Sequence, residues 1–331
     1  MKNYLLLTAS AVLVLSSCSN NEIVENKELK NGEPKKMSIS AYVPGMTRGL
    51  YDAKEADVDS LKKYGFALLT SQVNEDYEMF RTQLAFNSEN NVWGPASGEA
   101  EPAWPANPTE TVEFFGVYPP EAVGEDGLEI VVDGGYALPF EGSADQDLMI
   151  AHTSKSLAAS NNGNVRLDFS HVLAKVEVKF VGKQAGYNYQ VGNVKLTTPK
   201  ATEYRFNYSE FSLAEAQTVE YDLDEITNVT DDVFKIEGET VDGNAVTTDT
   251  LNYGQLMVIP GECSLSLGYS IAMPDQTAKA VTLNEPITFT AQAGVRNIVV
   301  VTLAPKAKDM TFTVNVGEWT NGTTTERDIE L

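Results

Sequence analysis

Val165, Leu167 and Phe169 alternate with Arg166, Asp168 and Ser170. Successive strand side chains point to opposite faces, so this is a strand with one buried and one wet face. From Ala174 the phase inverts. Val176, Val178 and Phe180 are now apolar, with Lys175, Glu177 and Lys179 between them on the wet face. A slip of one residue turns every side chain across the sheet. Ser170–Leu173 must therefore absorb the slip by a bulge, a bend or a change of sheet. His171 sits at that joint.

The same period places strands along the whole chain. Residues 37–44 carry Ile39, Ala41 and Val43 on one face and stop at Pro44-Gly45. Residues 64–70 follow, then a hairpin of 77–86 and 91–93, then 113–118, 128–132 and 147–151. The second half predicts strands at 189–197, 203–208, 218–222, 233–237, 255–259, 265–273, 281–290, 296–303 and 311–316. Helix is confined to 53–63 and 212–217. Residues 94–110 hold Pro95, Pro102, Pro105 and Pro108 around Trp104 and read as an irregular loop. Many short strands with Gly, Pro, Asn and Asp turns predict an all-β fold of antiparallel sandwiches. No period of 20–50 residues suggests a solenoid or propeller. The length of 331 residues fits two domains. The Asn161-Asn162-Gly163 turn divides 37–163 from 164–331.

The N-terminus changes this picture. Lys2 precedes an apolar run from Tyr4 to Leu15, too short to span a membrane as a helix. Ser16 and Ser17 then lead into Cys18. Leu15-Ser16-Ser17-Cys18 resembles a bacterial lipobox, so 1–17 is expected to be a lipoprotein signal peptide and Cys18 the lipidated residue. Residues 18–36 are a polar tether between lipid and fold, with Glu22 as a weak export cue. Cys263 then has no partner, and the fold is expected to need no disulfide.

The formal charge is −23. Such a chain repels phosphate backbones and anionic lipid, which excludes nucleic acid as a partner. Candidate chemistry is sparse. His171 is expected to be a core histidine bonded to backbone; with His152 it forms no HExxH or Cys/His pattern for zinc. No GxSxG, Walker A or GxGxxG motif occurs, and no calcium loop. Clusters such as Asp222, Asp224 and Glu225, or Asp231-Asp232, are expected by chance among 47 acidic residues. No enzyme, metal or cofactor is expected. Trp93 and Trp104 read as core or loop anchors, with sugar stacking as the alternative. Asp59-Ser60-Leu61 and Asp249-Thr250-Leu251 resemble an O-glycosylation acceptor, which makes Ser60 and Thr250 candidates.

Several features together resemble the fimbrillin family, the lipoprotein pilins of type V pili. They are the lipobox, Thr47-Arg48 behind the first strand, Asp147-Leu148-Met149, and Val165, Leu167, Phe169, His171 with Leu173-Ala174-Lys175-Val176. Residues 292–303 after a glycine turn and the late Trp319 complete the likeness. The resemblance implies two transthyretin-like β-sandwich domains in series. It implies a lipid-anchored precursor at the outer membrane, cut between Arg48 and Gly49, and assembly with other pilus subunits into a cell-surface fimbrium. Losing 37–44 would open a groove for a strand of the next subunit. Met310–Leu331 is the donor candidate. Its last part, with Ile329 and Leu331 as anchors, is short and polar for a stalk, which leaves stalk, tip, accessory and anchor roles open. Host or bacterial surface ligands are further partners under this reading. The alternative is a monomeric surface lipoprotein that binds glycans through aromatics of 91–118.

Overall fold

The phase fault beside His171 is a change of sheet. Asn164–Asp168 pair with the N-terminal strand, Ser170 and His171 pair with Ile150 and Met149, and Ala174–Gly182 run in a third sheet. Val165, Leu167 and Phe169 are thereby buried in one core and Val176, Val178 and Phe180 in another.

This computed structural model describes residues 35–43, 58–72, 79–124, 127–130, 135–142, 146–182, 187–223, 233–235, 240–241, 244–245, 250–273, 276–283 and 285–318. All belong to the compact unit Pro34–Leu331. Met1–Glu33 form a separate unit outside the described residues.

The first half runs β1 (Ser38–Tyr42), α1 (Val58–Tyr64), β2 (Phe66–Gln72), β3 (Phe80–Asn87) and β4 (Val92–Pro95). It continues with β5 (Thr111–Tyr118), β6 (Glu129–Ile130), β7 (Tyr136–Pro139), β8 (Met149–Ser156), β9 (Asn164–Asp168) and β10 (Ser170–His171). Six strands form one antiparallel sheet in the order β10-β8-β5-β2-β3-β4. One face of it, with Phe66, Leu68, Phe114 and Met149, packs on the β1–β9 pair through Ile39, Val165 and Leu167. The other face, with Leu69, Phe115 and Val117, enters a second core shared with Tyr204, Phe206, Met257 and Ile259.

The second half contains β11 (Ala174–Gly182), β12 (Asn188–Arg205), β13 (Glu210–Asp222), β14 (Val233–Lys235), β15 (Thr240–Val241) and β16 (Asn244–Ala245). Then come β17 (Thr250–Val258), β18 (Gly261–Ala272), β19 (Lys279–Thr282), β20 (Ile287–Ala291), β21 (Val295–Leu303) and β22 (Thr311–Glu318). The sheet β17-β11-β21-β22 faces a sheet built on β19-β18-β12-β7-β6, and the largest core lies between them. β12 is 18 residues long. It pairs with β18 at its start and with β7 of the first half at its end, so one sheet serves both halves.

The all-β expectation holds, but pairing is not purely antiparallel. β1 lies parallel to β9, and β11 parallel to β21. Parallel partners need long connections, and here each is separated by roughly a third of the chain. The expected helix at 212–217 is part of β13, because pairing with β12 overrides local propensity. Strands expected at 189–197 and 203–208 are one strand, and 281–290 divides into β19 and β20. Helix α1 ends at Gly65, whose N–H bonds the Leu61 carbonyl at 2.8 Å with φ of 79°. A Cβ there would sit 2.2 Å from the Leu84 carbonyl oxygen, so only glycine fits this stop.

Candidate functional site

Three segments far apart in sequence meet where the chain changes sheets. His171 Nδ1 lies 2.6 Å from the Asp147 Oδ2, both side chains almost fully buried. A carboxylate is thus a partner of this core histidine, where the expectation named backbone. Leu148 and Met149, which follow that aspartate, are fully buried. Next, the Leu173 carbonyl accepts the Gly294 N–H at 2.8 Å. Gly294 has φ of 66°, and a Cβ on it would lie 3.0 Å from the His171 carbonyl oxygen. Asn297, fully buried, donates through Nδ2 to the Lys175 carbonyl at 3.2 Å and to the Val295 carbonyl at 3.2 Å. Its Oδ1 accepts the Gln292 N–H at 3.2 Å. One side chain thus ties the β20–β21 turn to β11. Ala174 and Val176 point into the largest core.

Lys175 and Glu177 were expected on a wet face; both are buried. Lys175 is in register with Met257, a member of the second core, so this end of β11 is covered on both faces. Arg296 grips Glu177 with two bonds of 2.5 and 2.7 Å, while Lys175 and Lys179 stand 3.6 and 3.7 Å away. Burial opposes the charge on Glu177. The Arg296 bonds and the two lysines overcome it and hold its pKa below the ordinary value. The arrangement stores no reactive group; it is a clasp.

A second feature lies at β1. Its ladder with β9 puts Ile39 beside Val165 and Ala41 beside Leu167. Met37, Ile39 and Val43 are buried, while Tyr42 is exposed beneath the Arg166 guanidinium at 4.4 Å. The strand is held at both ends. Met37 N–H donates to the Pro102 carbonyl, Trp104 N–H to the Lys35 carbonyl, and Phe169 N–H to the Tyr42 carbonyl, at 2.7–3.0 Å. Among the described strands β1 pairs with β9 alone.

The remaining candidates divide sharply. Cys18, Arg48, Gly49 and Trp319 lie outside the described residues. Ser60 is buried in α1, so a glycan could reach it only before folding. Thr250 opens β17 in register with Val181. Trp104 is buried and donates Nε1–H to the Gly163 carbonyl at 3.2 Å, and Trp93 packs on Phe66 and Phe86. Trp104 is thus a core anchor, and Trp93 is half-buried against its two phenylalanine neighbours. His152 stacks on Phe115 at 4.7 Å and pairs with Glu113 at 2.8 Å, and this bond to His152 lowers the Glu113 pKa. Burial raises the Cys263 thiol to about 11, so it is a poor nucleophile. Among the described residues no three acidic, His or Cys side chains group as metal ligands, and no helix is long and apolar enough to cross a membrane.

Asp147 was legible as part of Asp-Leu-Met. The roles of Gly294, Arg296 and Asn297 were not, although a charged and an amide residue inside the apolar run Val295–Leu303 were a signal. The donor candidate, Met310–Leu331, is described only in its first part. Thr311–Glu318 are already zipped to β21 over eight register pairs, with Val314 in the core. Residues 319–331 of the candidate lie outside the described residues.

A fimbrillin-like family model matches residues 50–319. No curated protein matches the chain. A fimbrial protein from Bacteroides vulgatus is 18% identical over 86% of this chain and 100% of its own, with a TM-score of 0.60, and shares the fold. A candidate cell adhesion protein from Parabacteroides distasonis is 9% identical over 87% and 98%, with a TM-score of 0.48. Another from Bacteroides uniformis is 15% identical over 88% and 100%, with a TM-score of 0.42.

Proposed function

The chain belongs to the fimbrillin-like family, and on that premise we propose that it is a subunit of a cell-surface fimbrium that assembles by strand exchange. The observation that carries the proposal is β1. It is a short strand, paired with β9 alone among the described strands, with Met37, Ile39 and Val43 in the core. Each such side chain contributes roughly 1.5–3 kcal/mol on burial.

In this reading Cys18 carries the lipid that holds the precursor at the outer membrane. Cutting between Arg48 and Gly49 releases residues 18–48 and takes β1 with them. Departure of 35–43 leaves the β9 ladder, the Trp104 and Phe169 N–H groups and the Pro102 carbonyl without their present partners. It also bares Val165 and Leu167, now fully buried. Such an edge is completed by a strand that supplies main-chain bonds and alternating apolar side chains. Residues 319–331 of a neighbouring subunit are the donor, with Trp319, Ile329 and Leu331 as anchors. Head-to-tail addition of this kind does not close and gives filaments. The few anchors favour a tip, accessory or anchor position over the stalk. The division into two transthyretin-like sandwiches, expected at 163/164, belongs to the same proposal, with β9 and β10 kept in the first by their pairing with β1 and β8 and the clasp at His171–Asn297 joining the two.

N-terminal sequencing of surface-shed material tests this reading. Assembly by this route predicts chains that begin at Gly49. Fimbriae whose subunits all begin at Cys18 would contradict it.

A further inference from the structure

An open cleft of about 350 Å³ lies beside the clasp, between β10, the tip of the β12–β13 hairpin and the turns at Pro260 and Ala293. We propose that it is a binding site for a neutral saccharide. Its volume falls within the ~300–1,000 Å³ of small-ligand sites. The part that matters is lined by Ser170, Tyr204, Ser209, Glu210, Phe211 and Leu213.

The floor is aromatic. Tyr204 and Phe211 meet edge to face at 5.2 Å, and Phe140 backs Phe211 at 6.0 Å. The lining is apolar where folding does not require it: Leu213 is 50% exposed. The polar residues of the whole lining are Ser170, His171, Tyr204, Ser209 and Glu210, with His171 held by Asp147 and no lysine or arginine among them. A sugar ring carries an apolar C–H face for an aromatic wall and hydroxyls to donate to a carboxylate. An anionic ligand would meet the Glu210 carboxylate with no lining lysine or arginine to offset it.

Ser209 supplies an independent sign. Its φ is 53°. The other described non-glycine residues with positive φ are Asn91, Asn162 and Asn193, of the type that tolerates this conformation. A serine held there is strained, and such strain concentrates at ligand sites. The strained turn sets Ser209 against the Tyr204 hydroxyl, with which it hydrogen-bonds, at the mouth of the cleft. The cleft residues belong to the second core and its rim, whereas β1 packs in the third, so the site does not depend on strand exchange.

The full chain is screened on an array of neutral glucose-, galactose-, mannose- and N-acetylglucosamine-containing oligosaccharides, with sialylated and sulfated glycans alongside. Affinities for the neutral hits are then measured by titration calorimetry. We expect binding to a neutral glycan, weakened at least about tenfold by Glu210→Gln, which replaces a charged acceptor of the sugar hydroxyls by a neutral amide. Leu213→Arg blocks the mouth and gives a similar loss. Both positions are at the surface, so unchanged unfolding midpoints confirm that the variants fold. Val92→Arg, on the exposed face of β4, leaves binding unchanged. Absence of any neutral hit, preference for the anionic glycans, or wild-type affinity in both cleft variants would overturn the proposal. Fimbrial ladders scored in the same variants separate this outcome from failure of the assembly reading.

Discussion

Removing the imidazole of His171 would take a partner from the Asp147 carboxyl in a site with almost no solvent. The two groups sit 2.6 Å apart and nearly fully buried. Breaking such a pair from one side leaves a polar group desolvated, at ~3 kcal/mol. Urea unfolding of His171→Ala is therefore expected to show a loss of about that size, and a change within experimental error would remove the pair from the account. Glu177 gives a pH test. Its pKa is lowered in the fold because Arg296, Lys175 and Lys179 outweigh its burial. A depressed carboxylate contributes stability above its unfolded pKa, near 4.5 here, and loses it as pH falls through the folded value. The unfolding midpoint of the native chain should thus fall between neutral pH and the acid range below 4.5. In Glu177→Gln that part of the slope should be absent. These residues show what the sequence could reveal. His171 was legible as a core residue because it interrupts a strand period. Its partner Asp147 lies 24 residues upstream, and only the fold brings them together.

At the scale of elements, periodicity was reliable where a strand has one wet face and misleading where it has none. β1, β9 and β22 follow their alternation. β11 also alternates, but Lys175 and Glu177 are buried because the second core covers that face. No local pattern distinguishes a solvated lysine from one held by Glu177. The length of β12 was hidden for a similar reason. The expectation stopped at 197 and resumed at 203, yet the chain between, with Pro199, rides through register shifts in the pairing with β13. β1 is the element whose independence matters. Ile39→Asp would place a carboxylate against Val165, an unpaired burial costing ~3 kcal/mol or more. Hydrogen exchange should then show amides 38–43 losing protection while β2, β5 and β8 keep theirs. Loss of protection throughout the first half would mean that β1 is integral to the sheet rather than detachable.

The whole molecule carries a charge of −23. Subunits of that charge repel one another over a Debye length, about 10 Å at 0.1 M salt. Assembly of purified, cleaved subunits should accelerate as salt rises from low to physiological concentration; an unchanged or slower rate would argue that the joining surfaces are locally complementary in charge. The most direct test of the central claim is electrophoresis of surface material in SDS without heating. A strand-exchanged fimbrium predicts a ladder of oligomers that collapses to monomer on boiling and is absent from Arg48→Ala cells, whose subunits keep β1 in place. An equal ladder in Arg48→Ala, or monomer alone from cells whose subunits begin at Gly49, would contradict it.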